Sequence, residues 1–168
     1  MTDIRRLAPG VSVTGAVTVE DISTIAQQGF RTIINFRTDG ESLHQVSSRD
    51  ARQVAERLGL EYIHIPTSKH ELFTDAVVDA ASEAFANSPG PILAHCAGGQ
   101  RAAIVWAATA ARQQPVSQVL DQLKDAGFDL AFLRDDLDAQ ADRARWQTGV
   151  EPDVKHPCHV SDRTKAAA

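Results

Sequence analysis

The stretch PILAHCAGGQR, residues 91–101, with the run AAIVWAATAA behind it, residues 102–111, constrains this chain more than any other. PILA reads as a short buried strand. The following run is too long for a typical strand and apolar on every side, so it reads as a buried helix. A strand, a glycine-bearing turn and a helix start make a loop whose backbone N–H groups converge on one point. Cys96 stands at the mouth of that loop and Arg101 at its far end. A cysteine at a helix N-terminus beside a cation is shifted toward its thiolate. The planar fork of an arginine, unlike a lysine, holds two oxygens of an oxyanion at once. Gly98 and Gly99 keep side chains out of the turn. His95 either supports the thiolate through a hydrogen bond or fixes the loop backbone. The plainer alternative is a core cysteine beside an incidental turn, but a core cysteine needs neither two glycines nor an arginine.

The rest of the chain alternates strands with helices. Residues 7–14, with Val11 and Val13, read as an edge strand after the turn Pro9-Gly10. Thr18 and Asp21 form a capping-box pair ahead of a helix facing inward with Ile22, Ile25 and Ala26 and ending at Gly29. RTIINF, residues 31–36, is a buried strand. A polar stretch leads to a helix with the stripe Ala51, Val54, Ala55 and Leu58. LEYIHI, residues 60–65, is the next strand. Thr74 caps a helix burying Val77, Val78, Ala81 and Phe85. Past the cysteine loop and its helix, Pro115 opens another helix, with Val119, Leu120 and Leu123 inward, and Asp129 caps a last one. This order predicts an α/β fold with a mostly parallel central sheet of four to five strands and helices on both faces. The strand into Cys96 should be central, because its helix is the most apolar. Ligands bind beyond the carboxyl ends of such strands, which collects the loops after Phe36 and Ile65 around HCAGGQR. Residues 1–149 read as one domain and 150–168 as a loosely ordered tail.

Charge and composition narrow the function. The chain has 168 residues and a net charge of −5, which gives no general attraction to nucleic acid or anionic membranes. The apolar run of 102–111 falls well short of the ~20 residues that span a bilayer. MTDIRRLAPG carries no hydrophobic run of signal-peptide type. The two cysteines, Cys96 and Cys158, make no disulfide framework. A free reactive thiol suits a reducing cytoplasm. The tail's His156, Cys158 and His159 supply three potential ligands where a closed zinc site takes four, so no metal or other cofactor is expected, though Cys158 could resolve an oxidised Cys96 as a disulfide. Oligomeric state is not readable.

The segments GFRTIINFRTDGE, LGLEYIHIP, GPILAHCAGGQR and DAGFDLAFLRDDL resemble a bacterial phosphatase-like family known as beta-lactamase-hydrolase-like, within the cysteine-dependent tyrosine-phosphatase-like proteins. The resemblance covers about residues 3–137. It implies a three-layer tyrosine-phosphatase-like fold and a metal-independent phosphoester hydrolase working through a cysteinyl-phosphate. Its substrate would be a phosphorylated small molecule or phosphoprotein. Cys96 would be the nucleophile and Arg101 the clamp on the phosphoryl oxygens. The N–H groups of Ala97, Gly98, Gly99, Gln100 and Arg101 would complete the cradle. The resemblance also draws Arg37 and Asp39 toward the site, Arg37 to attract the anion and Asp39 to position water or act as acid.

Three departures stand beside it. Four residues separate Cys96 from Arg101 where phosphatase loops usually have five, and the shorter spacing is also that of rhodaneses, which carry a persulfide. Ala102 replaces the usual hydroxyl residue after the arginine. The loop expected to carry an acidic Asp reads PTSKHELF, offering Lys69, His70 and Glu71. Glu71 is closest in chemistry to the acid and His70 is a second candidate near neutral pH or a substrate contact; the alternative for each is an exposed loop residue. A sulfurtransferase with a persulfide on Cys96, or a phosphate-binding module without turnover, are the competing functions.

Overall fold

The computed structural model describes residues 3–148. The hairpin comes first: β1 (Arg5–Ala8) and β2 (Val11–Thr14) pair antiparallel across Pro9-Gly10. What reads in the sequence as one edge strand is therefore two. Only β1 is at the edge, and β2 lies inside the sheet against β5 (Ile92–His95). The miss is a turn inside the segment rather than ahead of it, since Gly10 takes φ +76°, which glycine adopts freely. On the other side of β5 lie β3 (Thr32–Asn35) and then the second edge, β4 (Glu61–His64), both parallel to their neighbours. The order β1-β2-β5-β3-β4 makes β5 the central strand, as its apolar helix requires.

Alternation of side chains across the sheet builds two cores. Ile33 and Leu93 face α1 (Val19–Gln27) and α2 (Ser48–Arg57), with Ile22, Ile25, Ala51 and Ala55. Ile34, Ala94 and Val13 face α3 (Asp75–Asn87), α4 (Gln100–Ala110), α5 (Val116–Asp125) and α6 (Arg134–Thr148). Eight of the eleven residues of α4 are buried, from Ala102 to Thr109. Small side chains let this helix lie between the sheet and its neighbours α3, α5 and α6. The architecture is thus the expected α/β three-layer fold with a mostly parallel five-stranded sheet.

Local signals hold in most elements. Thr18 and Asp21 form the full capping box of α1, each side chain bonding the other's backbone N–H. Leu58 departs from its expected stripe: it follows the last turn of α2 and is 44% exposed. Phe85 is half-buried, and Ala84 takes the inward position. Asp129 does not cap the last helix; a 3-10 turn, Ala131–Leu133, precedes α6 and buries Leu133.

Candidate active site

All four parallel strands end on one side of the sheet, and a polar row closes them: Thr14, His95, Asn35 and His64 are neighbours in register. The chain leaves that row as four loops. One of them, at Ala16, donates its N–H to the Ala97 carbonyl at 3.0 Å, so the end of β2 is tied to the cysteine loop.

Cys96 directly follows β5, is 2% exposed, and belongs to the apolar cluster of the α3–α6 face. Gly99 then reverses the chain with φ +87° and caps α4. A Cβ at Gly99 would lie 3.4 Å from the Thr14 carbonyl, so glycine answers both the backbone twist and the close approach. The Gly99 N–H donates to Cys96 Sγ at 3.1 Å. That N–H lies at the start of α4, whose first N–H groups have no intrahelical partner and form the positive end of the helix. Ala97 and Gly98 are exposed at the loop's crest and Gln100 opens the helix.

Arg101 is held from three sides. Its Nη1 donates to the Phe36 carbonyl at 3.0 Å, the Thr67 carbonyl at 2.8 Å and Glu41 Oε1 at 2.5 Å. Its Nη2 reaches Glu41 Oε2 at 3.2 Å, completing a two-pronged carboxylate pair. Among the described residues no acceptor engages Nε. Glu41 also takes Arg37 Nε at 3.4 Å and the Thr38 N–H at 2.8 Å. Partial burial resists its ionisation, but the bonds from Arg101 and Thr38 outweigh that and hold its carboxyl down to about 2.

Glu41 is the site residue that sequence reasoning missed. It sits in a DGE turn whose neighbour Asp39 looked equally suitable, and its partner is sixty positions away. The signal that could have found it is a demand for charge balance: Arg101 in a closed site needs an anionic partner.

The other expected residues divide. Arg37 is at the site, 7% exposed, bonded to Glu41 and to Ser42 Oγ at 3.0 Å. It lines a cleft of about 640 Å³ that opens between residues 16–20 and 42–46. Asp39 turns away: its carboxylate accepts the Ser48 hydroxyl at 2.7 Å and the Ser48 N–H at 2.8 Å. Those bonds secure the start of α2 and, with the hydroxyl contributing most, keep the carboxyl below its ordinary value. Glu71 accepts the Ser68 N–H at 2.9 Å, which closes a turn with Lys69 and His70 exposed at its tip. Hydrogen bonds from Ser68 hold its carboxyl low as well. Both carboxylates are candidates for the acid on the sequence, and in the structure each makes local bonds, Asp39 at a helix start and Glu71 in a turn.

For His95 the sequence offers a bond to the thiolate or a hold on the loop backbone. Its ring points into the α1–α2 layer, on the face of Leu93, while Cys96 points to the opposite one. Burial first, then the charge of Arg37, pushes its imidazole down to about 3, so it stays neutral and supports the loop from beneath. Among the described residues no group of three or more His, Cys, Asp or Glu is placed to hold a metal ion. The tail residues His156, Cys158 and His159 lie outside the described residues.

A parallel sheet that delivers a cysteine, two glycines and an arginine into one turn defines a phosphatase-like α/β domain. Comparison with known proteins agrees. The family described as the phosphatase-like domain of beta-lactamase hydrolase-like protein matches residues 3–113, and the chain belongs to that family. A beta-lactamase hydrolase-like protein of Agrobacterium fabrum is 31% identical over 138 residues, which is 81% of this chain but 32% of the relative. The chain thus spans about a third of that longer protein. The crystal structure of a candidate phosphatase from Neisseria meningitidis has 27% identity and a TM-score of 0.71, covering 82% of this chain and 97% of its own. The core catalytic domain of the PP-IP phosphatase SIW14 from S. cerevisiae shares the fold at 12% identity, with a TM-score of 0.57 and coverage of 89% and 94%.

Proposed function

We propose that this domain hydrolyses phosphoesters through a cysteinyl-phosphate on Cys96, without a metal, acting on a phosphorylated small molecule or phosphoprotein. The observation that carries this reading is the pairing of Cys96 Sγ, under the Gly99 N–H at 3.1 Å, with an Arg101 whose Nη groups are fixed and whose Nε is left for a ligand. The sulfur attacks phosphorus as the ester P–O bond breaks, and the leaving oxygen departs with the bonding pair, taking its proton from solvent. The phosphoryl oxygens meet the N–H groups of the α4 start and Arg101, and water then cleaves the S–P bond, returning phosphate and the thiolate. Such preorganised donors usually supply a large share of the barrier reduction in phosphoryl transfer.

The test is phosphate release from nitrophenyl phosphate between pH 5 and 8, with trapping of labelled phosphate on the protein. Cys96→Ser should abolish both release and label. Arg101→Ala should lower kcat/KM by roughly 10²–10³-fold, the range for removing one preorganised donor. Absence of any release across that pH range would remove the hydrolase reading.

A second reading has one observation in its favour. The carboxylates of Asp39, Glu41 and Glu71 are all bound elsewhere, and passing a sulfane sulfur from Cys96 to a thiol needs no acid for an alkoxide. Treatment with thiosulfate followed by intact-mass measurement separates the two: a gain of one sulfur on Cys96, with no phosphate release, selects the sulfurtransferase.

A further inference from the structure

Resting on the phosphatase reading, we infer that the cleft beside the cysteine loop is a second anion subsite. There Arg37 receives a carboxylate or a further phosphate carried by the same small substrate. The cleft, of about 640 Å³, opens between residues 16–20 and 42–46, a volume in the range of small-molecule sites. It adjoins the cysteine loop on two counts. Ala16, which lines it, donates its N–H to the Ala97 carbonyl at 3.0 Å. Arg37, which also lines it, shares Glu41 with Arg101. One small molecule can therefore meet both guanidiniums, with its reacting phosphoryl group at Arg101 and its second anion at Arg37.

Arg37 is built as a receptor for charge and not as a surface arginine. Its N–H donates to Asn35 Oδ1 at 2.8 Å, and its carbonyl lies 2.7 Å from His64 Nε2, so the backbone is fixed on both sides. The side chain is only 8% exposed. Nε faces Glu41 Oε2 at 3.4 Å and Nη2 donates to Ser42 Oγ at 3.0 Å. Among the described residues no acceptor engages Nη1. That atom is not sealed in the core, so it opens on the space that Arg37 lines. Its charge is also under-compensated. Glu41 gives both oxygens to Arg101, at 2.5 and 3.2 Å, and only the longer 3.4 Å contact to Arg37. One carboxylate thus serves two guanidiniums, which leaves the buried Arg37 a positive charge for an incoming anion to neutralise. A guanidinium already held in place also loses little freedom on binding. Val17, Val19 and Val46 add apolar wall, suited to a carbon skeleton between the two anions. Glu20 lines the cleft from the first turn of α1, but it is exposed. Water and salt screen its repulsion more than the attraction of the buried Arg37.

The experiment compares meta-carboxyphenyl phosphate with its uncharged amide, meta-carbamoylphenyl phosphate, on the wild-type protein, and adds meta-phenylene bisphosphate. The amide is the better leaving group, so chemistry alone would favour it. The inference expects KM for the carboxylate to be lower by roughly tenfold or more, the gain from one charge-assisted contact. Arg37→Gln should bring the two KM values together. The ratio is taken within one protein, so any general loss from a disturbed Glu41 cancels. Equal KM values in the wild type, or a preference that survives in Arg37→Gln, overturn the inference; turnover of both esters still upholds the phosphatase reading. Tighter binding of the bisphosphate than of the carboxylate selects a second phosphate, and the reverse selects a carboxylate. A crystal structure of the wild type with meta-carboxybenzylphosphonate tests the same point without a variant. Its carboxylate belongs within hydrogen-bond distance of Arg37 Nη1, and a carboxylate directed elsewhere overturns the inference. If no ester is turned over, the phosphatase reading falls by itself. Calorimetric affinities of that phosphonate and its amide then decide the subsite: a carboxylate preference lost in Arg37→Gln supports it, and equal affinities overturn it.

Discussion

Glu41 shows how a single side chain can decide the state of the whole site. It gathers Arg101, Arg37 and the Thr38 amide on one carboxylate, and its side chain is 19% exposed. Its carboxyl sits at about 2 in the folded protein against an ordinary 4.5. A depressed acid contributes stability that is present above its ordinary value and lost as pH falls through the folded one. The pair with Arg101 should therefore stabilise fully above about pH 4.5 and weaken progressively toward pH 2. Glu41→Gln should cost about 1–2 kcal/mol at pH 7, between an exposed and a buried pair after allowing for solvent screening. Denaturation followed at pH 7 and again at pH 3 checks it: the gap between variant and wild type should narrow at the lower pH. A gap that is the same at both values would mean that Glu41 acts through packing and not through charge. Kinetics should report the same residue differently, because an unheld Arg101 loses orientation, so kcat falls while the fold persists at pH 7.

At the scale of elements, the cysteine loop is legible because the strand, turn and helix that form it are adjacent in the sequence. A buried strand, two glycines and a small-residue helix lie within about twenty consecutive positions, and each demands a particular geometry of the next. The polar residues around the loop bond partners that lie outside that stretch. Asp39 reads as a catalytic acid beside a strand end, but its partner Ser48 lies nine positions on, at the start of α2. Glu71 reads as an acid on the right loop, and its carboxylate accepts the N–H of Ser68, three residues back. The hairpin of β1 and β2 reads as one strand because the alternation of Val11 and Val13 marks only its second arm. Gly99 carries the element-scale prediction. Its φ of +87° and the 3.4 Å approach to Thr14 both oppose a side chain. Gly99→Ala should destabilise by about 1–2 kcal/mol from the strained backbone alone. It should also push the α4 start off β2, moving the Gly99 N–H away from Cys96 Sγ. Gly98→Ala is the matched control, since a Cβ there meets nothing within 4 Å. Equal losses in stability and rate for the two variants would contradict this account.

Across the whole molecule, a chain of bonds ties the packed helices to the loop that holds Arg101. Arg112, at the end of α4, is 10% exposed in its side chain and bonds Asp79 on α3 at 2.5 Å and Gln140 on α6 at 3.0 Å. The Gln140 amide in turn donates to the Phe73 carbonyl at 3.0 Å, and Phe73 belongs to the same 66–74 connection that supplies the Thr67 carbonyl to Arg101. Asp75 adds to the cluster, pairing with Arg143 of α6 and lying 3.6 Å from Arg112. A chain of bonds therefore runs from the back of the helical layer to the loop beside Arg101. Removing Arg112 leaves Gln140 Oε1 buried without its donor, whereas Asp79 is exposed enough to be solvated. Arg112→Ala should cost about 2–3 kcal/mol, mainly from that orphaned amide and the lost packing of the side-chain stem. Arg112→Met keeps the stem and isolates the polar share, so it should recover part of the loss. Both variants should retain wild-type kcat at temperatures where they remain folded, because none of these atoms meets the substrate. Urea denaturation beside single-temperature kinetics measures the two quantities separately. A drop in kcat without a drop in stability would show that the latch positions the 66–74 connection rather than merely holding the helices together.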